Sequence, residues 1–190
     1  MTDHQLLEAY TAARDTRAFS CFVDRHEARL ISYAGALLRD SGLAQDVAQE
    51  VFFRVARHPE RVLEFFDRTQ QTPEIHGARN WLLKVARELS LDRLRKRYLE
   101  KREWPKVEAS RPTQASATLQ PEQNAEATEE LDRMRVAIQK LPPRLRELVA
   151  LKVQQHKSYK EIAELTGLTA THVGVLLHQA LQELAKELNP

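Results

Sequence analysis

Glycine and cysteine are scarce in this chain: five glycines and one cysteine in 190 residues. A single thiol, Cys21, excludes an intrachain disulfide and a thiolate zinc site within one chain. Its neighbours Phe19, Phe22 and Val23 predict a buried small hydrophobe there rather than a reactive thiol. No apolar run approaches the roughly 20 residues needed to span a bilayer. Met1 to Tyr10 lack the charged start and apolar core of a signal peptide, so a cytoplasmic protein with no membrane insertion is expected. Few glycines and almost no alternating β-branched runs argue against strands. A charge excess of one sign is missing as well, with 29 basic residues against 27 acidic and a net charge of +2. Bulk charge therefore does not announce a nucleic-acid partner, and only a local basic strip could hold phosphates. There is no glycine-rich phosphate loop, and no serine, histidine and acid arrangement follows from spacing. His172 and His178, six apart, share a helical face too poorly for a metal pair. No enzymatic activity and no cofactor are expected.

What remains is rich in Ala, Leu, Glu, Arg, Lys and Gln, the strong helix formers. The expected fold class is all-α, in two small helical domains joined by a flexible linker. Residues 1–98 carry helical periodicity, with helices expected at about 3–14, 16–38, 43–58 and 78–98. Gly42 marks a turn, Pro59 ends the third helix, and residues 60–77 read as mixed, with Pro73 and Gly77 as breakers. Residues 99–127 turn into a Pro, Ser, Thr, Ala and Gln tract that cannot bury enough apolar surface to order itself, and read as a tether. Residues 128–190 return to helix, at about 128–140, 143–154, 158–165 and 170–188, with Pro142-Pro143 as the first stop.

The run from Ser158 to Thr169 has the spacing of a helix-turn-helix. Ala163 is small where two helices would cross. Gly167, four residues on, suits a turn that needs positive φ. Val173 would pack back from the second helix, with Ile162 and Leu168 completing the core, and Thr169 is a good N-cap. In the second helix Val173, Leu177, Leu181, Leu184 and Leu188 are expected inside, and Val175, Gln179 and Gln182 outside. A helix-turn-helix normally sets its second helix in the DNA major groove. Here that helix carries one lysine, Lys186, against Glu183 and Glu187, whereas phosphate binding needs cations. Base reading would fall to Thr171, His172, Val175 and Gln179.

The helix at 78–98 is different. From Arg79 to Lys106 there are ten basic residues against four acidic ones. Trp81, Leu82, Val85, Leu89 and Leu94 fall near helical spacing and are expected to be its buried stripe. The helix at 43–58 has an apolar stripe of Val47, Val51, Phe52 and Val55. On its other side Asp46, Gln49, Glu50 and Phe53 lie together at i, i+3, i+4 and i+7. An exposed Phe53 among acidic neighbours points to a protein contact.

These blocks resemble those of the sigma-70 family. The run Asp46-Val47-Ala48-Gln49-Glu50-Val51-Phe52-Phe53-Arg54-Val55 is similar to the sigma region 2 helix that grips the clamp helices of the RNA polymerase β′ subunit. The run from Ala78 to Arg97 resembles the promoter-melting helix of the same region. Leu141-Pro142-Pro143-Arg144-Leu145-Arg146-Glu147, with Ser158 to Ala163, is similar to the opening of sigma region 4. The blocks stand in family order with only a tether between them, which resembles the extracytoplasmic-function group. The resemblance implies a sigma factor that binds polymerase core, recognises promoter DNA, melts the −10 element and starts transcription. It implies core binding by Asp46, Gln49, Glu50 and Phe53. It implies −10 contacts by Arg79, Asn80, Lys84 and Arg87, with phosphates held by Arg93, Arg95, Lys96 and Arg97. The loop before Arg79 would form part of a base pocket. An anti-sigma factor is a further implied partner.

One block departs from the family pattern. The family's recognition helix runs Gly-Thr-Val-Lys-Ser-Arg-Leu-His-Arg-Ala-Arg, and this chain has Thr171-His172-Val173-Gly174-Val175-Leu176-Leu177-His178-Gln179-Ala180-Leu181. Core positions survive, while the cationic positions are neutral. Two expectations follow for Thr169, Thr171, His172, Val175, Leu176 and Gln179. Either they read a −35 element through few contacts, or Val175 and Leu176 form an apolar patch for an anti-sigma factor, an activator or a second copy. The sequence tilts toward the protein contact. The competing functions are a sigma-like interaction module that does not initiate transcription, and a plain helix-turn-helix repressor. A repressor has no need of the acidic face at Asp46, Gln49 and Glu50.

Overall fold

The structure is a computed structural model that describes residues 1–69, 77–103 and 125–188. The elements are α1 (Asp3–Ala13), α2 (Thr16–Leu38), α3 (Ser41–Arg57), α4 (Pro59–Thr69), α5 (Gly77–Glu103), α6 (Ala125–Lys140), α7 (Pro143–Val149), a π-helical turn at Ala150–Gln154, α8 (Tyr159–Thr166) and α9 (Ala170–Leu188). Among the described residues every regular element is helical, as the composition requires. They form two compact units, α1 to α5 and α6 to α9.

In the first unit α1 opens on a capping box. Thr2 Oγ1 accepts from the Gln5 N–H at 3.2 Å, and Gln5 Oε1 accepts from the Thr2 N–H at 2.9 Å. That satisfies two of the donors a helix start leaves open. The core is made by Leu6 and Leu7 of α1, Phe22, Leu30 and Tyr33 of α2, Val47, Val51 and Val55 of α3, Val62 and Phe66 of α4, and Leu82, Leu83 and Ala86 of α5. Phe22 meets Phe52 edge to face at 6.4 Å. A carboxylate also lies inside. Asp3 accepts from the guanidinium of Arg25 and lies 2.8 Å from His26 Nε2. Burial by itself would raise the Asp3 carboxyl, but its hydrogen bonds and charge pairing with His26 and Arg25 outweigh that and hold it below the ordinary aspartate range.

Several expectations change here. Residues 60–69, expected as mixed, continue α4, because Pro59 starts a helix: its missing N–H falls in the first turn, where no intrahelical bond is lost. The turn before α3 lies at Arg39, whose φ is 55°, and Gly42 sits inside the first turn of α3. Cys21 is exposed rather than buried. The inward face of α2 runs Ala18, Phe22, His26 and Leu30 at i, i+4 spacing, and Cys21 points the other way. The inner face of α5 is Ala78, Leu82, Leu83, Val85, Ala86 and Ser90. Trp81, Leu89 and Leu94, expected in that stripe, are half-buried. Ser90 is tolerated in the core because its hydroxyl donates back to the Ala86 carbonyl at 2.7 Å. The segment 99–127, expected as a tether, begins inside α5, whose last residues are strong helix formers, and ends inside α6. The part from 104 to 124 lies outside the described residues, as does the loop at 70–76 before Arg79.

The second unit packs α9 against α6, α7 and α8. Pro142 and Pro143 separate α6 from α7, with Pro143 at the first helical position. Arg146 is buried, and its Nη1 donates to the carbonyls of Gln139 and Leu141 at 3.2 and 3.0 Å. An arginine of the motif that opens this unit thus satisfies backbone oxygens at the end of α6.

Candidate interfaces for protein and nucleic acid

The helix-turn-helix is built as its spacing predicts. Ser158 and Glu161 form a second capping box. Gly167 has φ 74° and its N–H donates to the Ala163 carbonyl at 2.9 Å, a left-handed cap that glycine takes without strain. Thr169 Oγ1 accepts from the His172 N–H at 3.2 Å, which caps α9. Ile162 and Val173 are fully buried. The inner stripe of α9 is Val173, Leu177, Ala180 and Leu184. Leu181, expected inside, is 64% exposed, and Leu188 is half-buried. The spacing 173, 177, 180, 184 keeps one helical face, and position 181 falls a residue off it.

A charge that composition did not reveal lies under this motif. Lys157 is buried, and its Nζ donates to Glu161 Oε1 at 2.9 Å. Glu161 Oε2 also accepts from the backbone N–H and the hydroxyl of Ser158, both at 2.8 Å. Burial by itself would raise the Glu161 carboxyl, but these bonds and the Lys157 charge draw it down to about 2. The signal available in the sequence was the pattern Ser158-Tyr159-Lys160-Glu161, which is a capping-box pattern. Nothing local distinguished Lys157 from a surface lysine.

On α9 the outward residues Thr171, His172, Val175 and Gln179 are exposed, as is the capping Thr169. Leu176 is half-buried, so Val175 and Leu176 do not open together as one apolar patch. Gly174 faces the ring of Tyr159. A Cβ placed there would lie 3.4 Å from Tyr159 Cε2, ordinary contact distance. Gly174→Ala is therefore expected to stabilise the second unit by about 1 kcal/mol, the helix-propensity difference. Slower hydrogen exchange in α9 would show it.

On α3 the four outward residues sit together. Gln49 and Phe53 are exposed, Phe53 at 59%. Asp46 accepts from Arg93 of α5 at 3.4 Å, and Glu50 accepts from Arg54 at 2.9 Å. Both pairs are solvent-exposed, so each contributes at most about 1 kcal/mol and is easily exchanged for another cation.

The eight candidate DNA contacts on α5 separate into groups. Asn80 is buried at 6%, on the side of the helix that meets the core. Arg79 is half-buried. Lys84, Arg87 and Arg95 follow one line along the helix at i, i+3 and i+11, with Lys84 and Arg95 exposed. That line is about 16 Å long at 1.5 Å per residue. Arg93 turns to Asp46, Lys96 pairs with Asp92 at 3.0 Å, and Arg97 is exposed. Among the described residues no group of three or more His, Cys, Asp or Glu side chains could hold a metal, and no helix is long and apolar enough to cross a membrane.

Comparison with known proteins places both units. Residues 22–99 match the family described as sigma-70 region 2, and residues 131–184 match sigma-70, region 4. The ECF RNA polymerase sigma factor SigW of Bacillus subtilis is 26% identical over 92% of this chain and 90% of its own length. The ECF RNA polymerase sigma factor SigK of Mycolicibacterium vanbaalenii is 31% identical over 44% of this chain, a stretch that spans 38% of the SigK length. Among solved structures, CnrH, in complex with the cytosolic domain of CnrY, has a similar fold, with a TM-score of 0.62 at 20% identity over 98% of this chain and 97% of that one.

Proposed function

Because this chain belongs to the sigma-70 family, with regions 2 and 4 in order and in the extracytoplasmic-function group, we propose that it binds RNA polymerase core through α3 and opens promoter DNA with α5. The observation that carries the proposal is the pairing of two unlike surfaces on one unit. The acidic and aromatic outward face of α3, Asp46, Gln49, Glu50 and Phe53, suits the β′ clamp helices. The basic line of Lys84, Arg87 and Arg95 on α5 suits the −10 element. Opening DNA takes a base out of its stack at a few kcal/mol, which contacts to the displaced strand offset. Arg93 and Arg97 extend the cationic surface toward phosphates. Asn80, buried in the free chain, would have to become accessible to touch DNA. The second unit reads −35 duplex with Thr169, Thr171, His172, Val175 and Gln179. Such a protein works in the cytoplasm, where polymerase is, and needs no catalysis of its own.

A second reading has one observation in its favour. Val175 and Leu181 of α9 are 61% and 64% exposed. Apolar side chains that open to solvent suit a protein partner, and an anti-sigma factor is the partner proposed. Run-off transcription tests the main reading. Core enzyme with the chain should yield discrete transcripts from a pool of promoter fragments, and core alone should not. A chain that captures core but yields no transcript would be an interaction module instead.

A further inference from the structure

The recognition helix poses a charge problem. From Ala170 to Gln182 α9 has no lysine, arginine, aspartate or glutamate, only the histidines His172 and His178. A helix in a major groove needs phosphates held beside it, since those contacts fix its register. The described surface next to α9 supplies a cation from another element. Lys152, on the π-helical turn, is exposed and holds its ammonium 5.1 Å from the centre of the Tyr159 ring. A cation over an aromatic face is attracted by the ring and held in place. The same ring lies against Gly174 of α9, where a side chain would begin 3.4 Å from it. Tyr159 is 44% exposed, so the assembly faces solvent. Its acidic neighbour Glu161 is already balanced by the buried Lys157. Lys160, also exposed, adds a second positive charge at the start of α8.

We propose that Lys152, carried on the ring of Tyr159 to the side of Gly174, is the phosphate contact of this helix-turn-helix. This rests on the reading of the second unit as a duplex-DNA binder. It supplies the charge that the first three turns of α9 lack, from a ring that lies in contact range of α9 at Gly174. Thr171, Val175 and Gln179 are then left to face base edges. An exposed valine suits the thymine methyl, and a glutamine suits adenine.

The test is duplex binding by the full chain, read by fluorescence anisotropy on a mixed-sequence duplex of about 30 base pairs over a KCl series, where each phosphate contact adds about 0.9 to the slope of log K against log salt. Lys152→Gln should lower that slope by about 0.9 and weaken binding several-fold on unrelated sequences alike. Lys152→Arg should restore both, and Tyr159→Phe, which keeps the ring, should leave both unchanged. A slope unaltered by Lys152→Gln, while Thr171→Ala with Gln179→Ala still weakens binding, would overturn the assignment and leave the DNA reading standing. If neither set of substitutions changes duplex binding, the DNA reading of this unit fails together with the assignment, and α9 faces a protein.

Discussion

Asp46→Arg with Glu50→Arg is expected to weaken capture of polymerase core about 100-fold, roughly 3 kcal/mol, with little effect on folding. The two carboxylates lie on the outward face of α3, and the proposed partner surface is basic. Reversal replaces two attractions with two repulsions, and like charges set against each other at an interface cost several kcal/mol. The folded chain loses the Asp46–Arg93 and Glu50–Arg54 pairs. Both are exposed, so that loss is at most about 1 kcal/mol for each. Asp46→Asn with Glu50→Gln should fall between, since it removes attraction without adding repulsion. Phe53→Ala should cost further affinity, because a side chain 59% exposed in the free chain has area left to bury. Core pull-down at moderate salt reads all three, and helix content by circular dichroism confirms that the variants fold. Capture unaffected by double reversal would remove α3 from the interface.

Glu161→Gln is expected to destabilise the second unit by about 2–4 kcal/mol, the scale of breaking a largely buried ion pair. The amide can still accept from Ser158, so the capping box survives in part, but the buried Lys157 loses its carboxylate. Lys157→Met with Glu161→Gln should recover much of the loss, because an apolar side chain of similar length tolerates the buried site. The same pair sets an acid limit. The Glu161 carboxyl is held at about 2 in the folded unit against an ordinary 4.5. Its stabilisation is therefore present in full above about 4.5. It fades as pH falls below that value and is gone below about 2. Both tryptophans, Trp81 and Trp104, lie outside α6 to α9, so their fluorescence will not follow this unit. Hydrogen exchange resolved on α8 and α9 will.

The contrast between Glu161 and its partner shows what a sequence displays and what it hides. Gly167 and Thr169 were legible because their roles are local: a left-handed turn and a cap are fixed by a few neighbouring backbone groups. The stripe at Val47, Val51 and Val55 was legible because helical periodicity alone sorts α3 into two faces. The outward group at Asp46, Gln49, Glu50 and Phe53 follows from the same arithmetic. Pro59 misled because a proline that cannot continue one helix can begin the next. Hydrophobicity alone points Leu181 inward, whereas the register of α9 puts Ala180 inside and leaves Leu181 exposed. Asn80 is a polar residue that the register of α5 turns inward, which its residue type alone does not reveal. The apolar neighbours of Cys21 in sequence say little about its burial, because on a helix they point in other directions. Lys157 and Arg146 were invisible because burial of a cation is decided by partners brought close only in the folded unit. Lys152 belongs with them: its place over Tyr159 beside α9 depends on packing between elements that the sequence separates.

The first unit is proposed to divide its labour, with α3 holding polymerase and α5 opening DNA. Permanganate reactivity of unpaired thymines tests it most directly, on a promoter fragment selected with the reconstituted holoenzyme. The chain with Lys84→Gln, Arg87→Gln and Arg95→Gln should still bind core with unchanged affinity, yet leave the −10 thymines unreactive, where the unaltered chain makes them react. Equal reactivity with both chains would contradict the account, because the basic line on α5 would then have no part in opening the promoter.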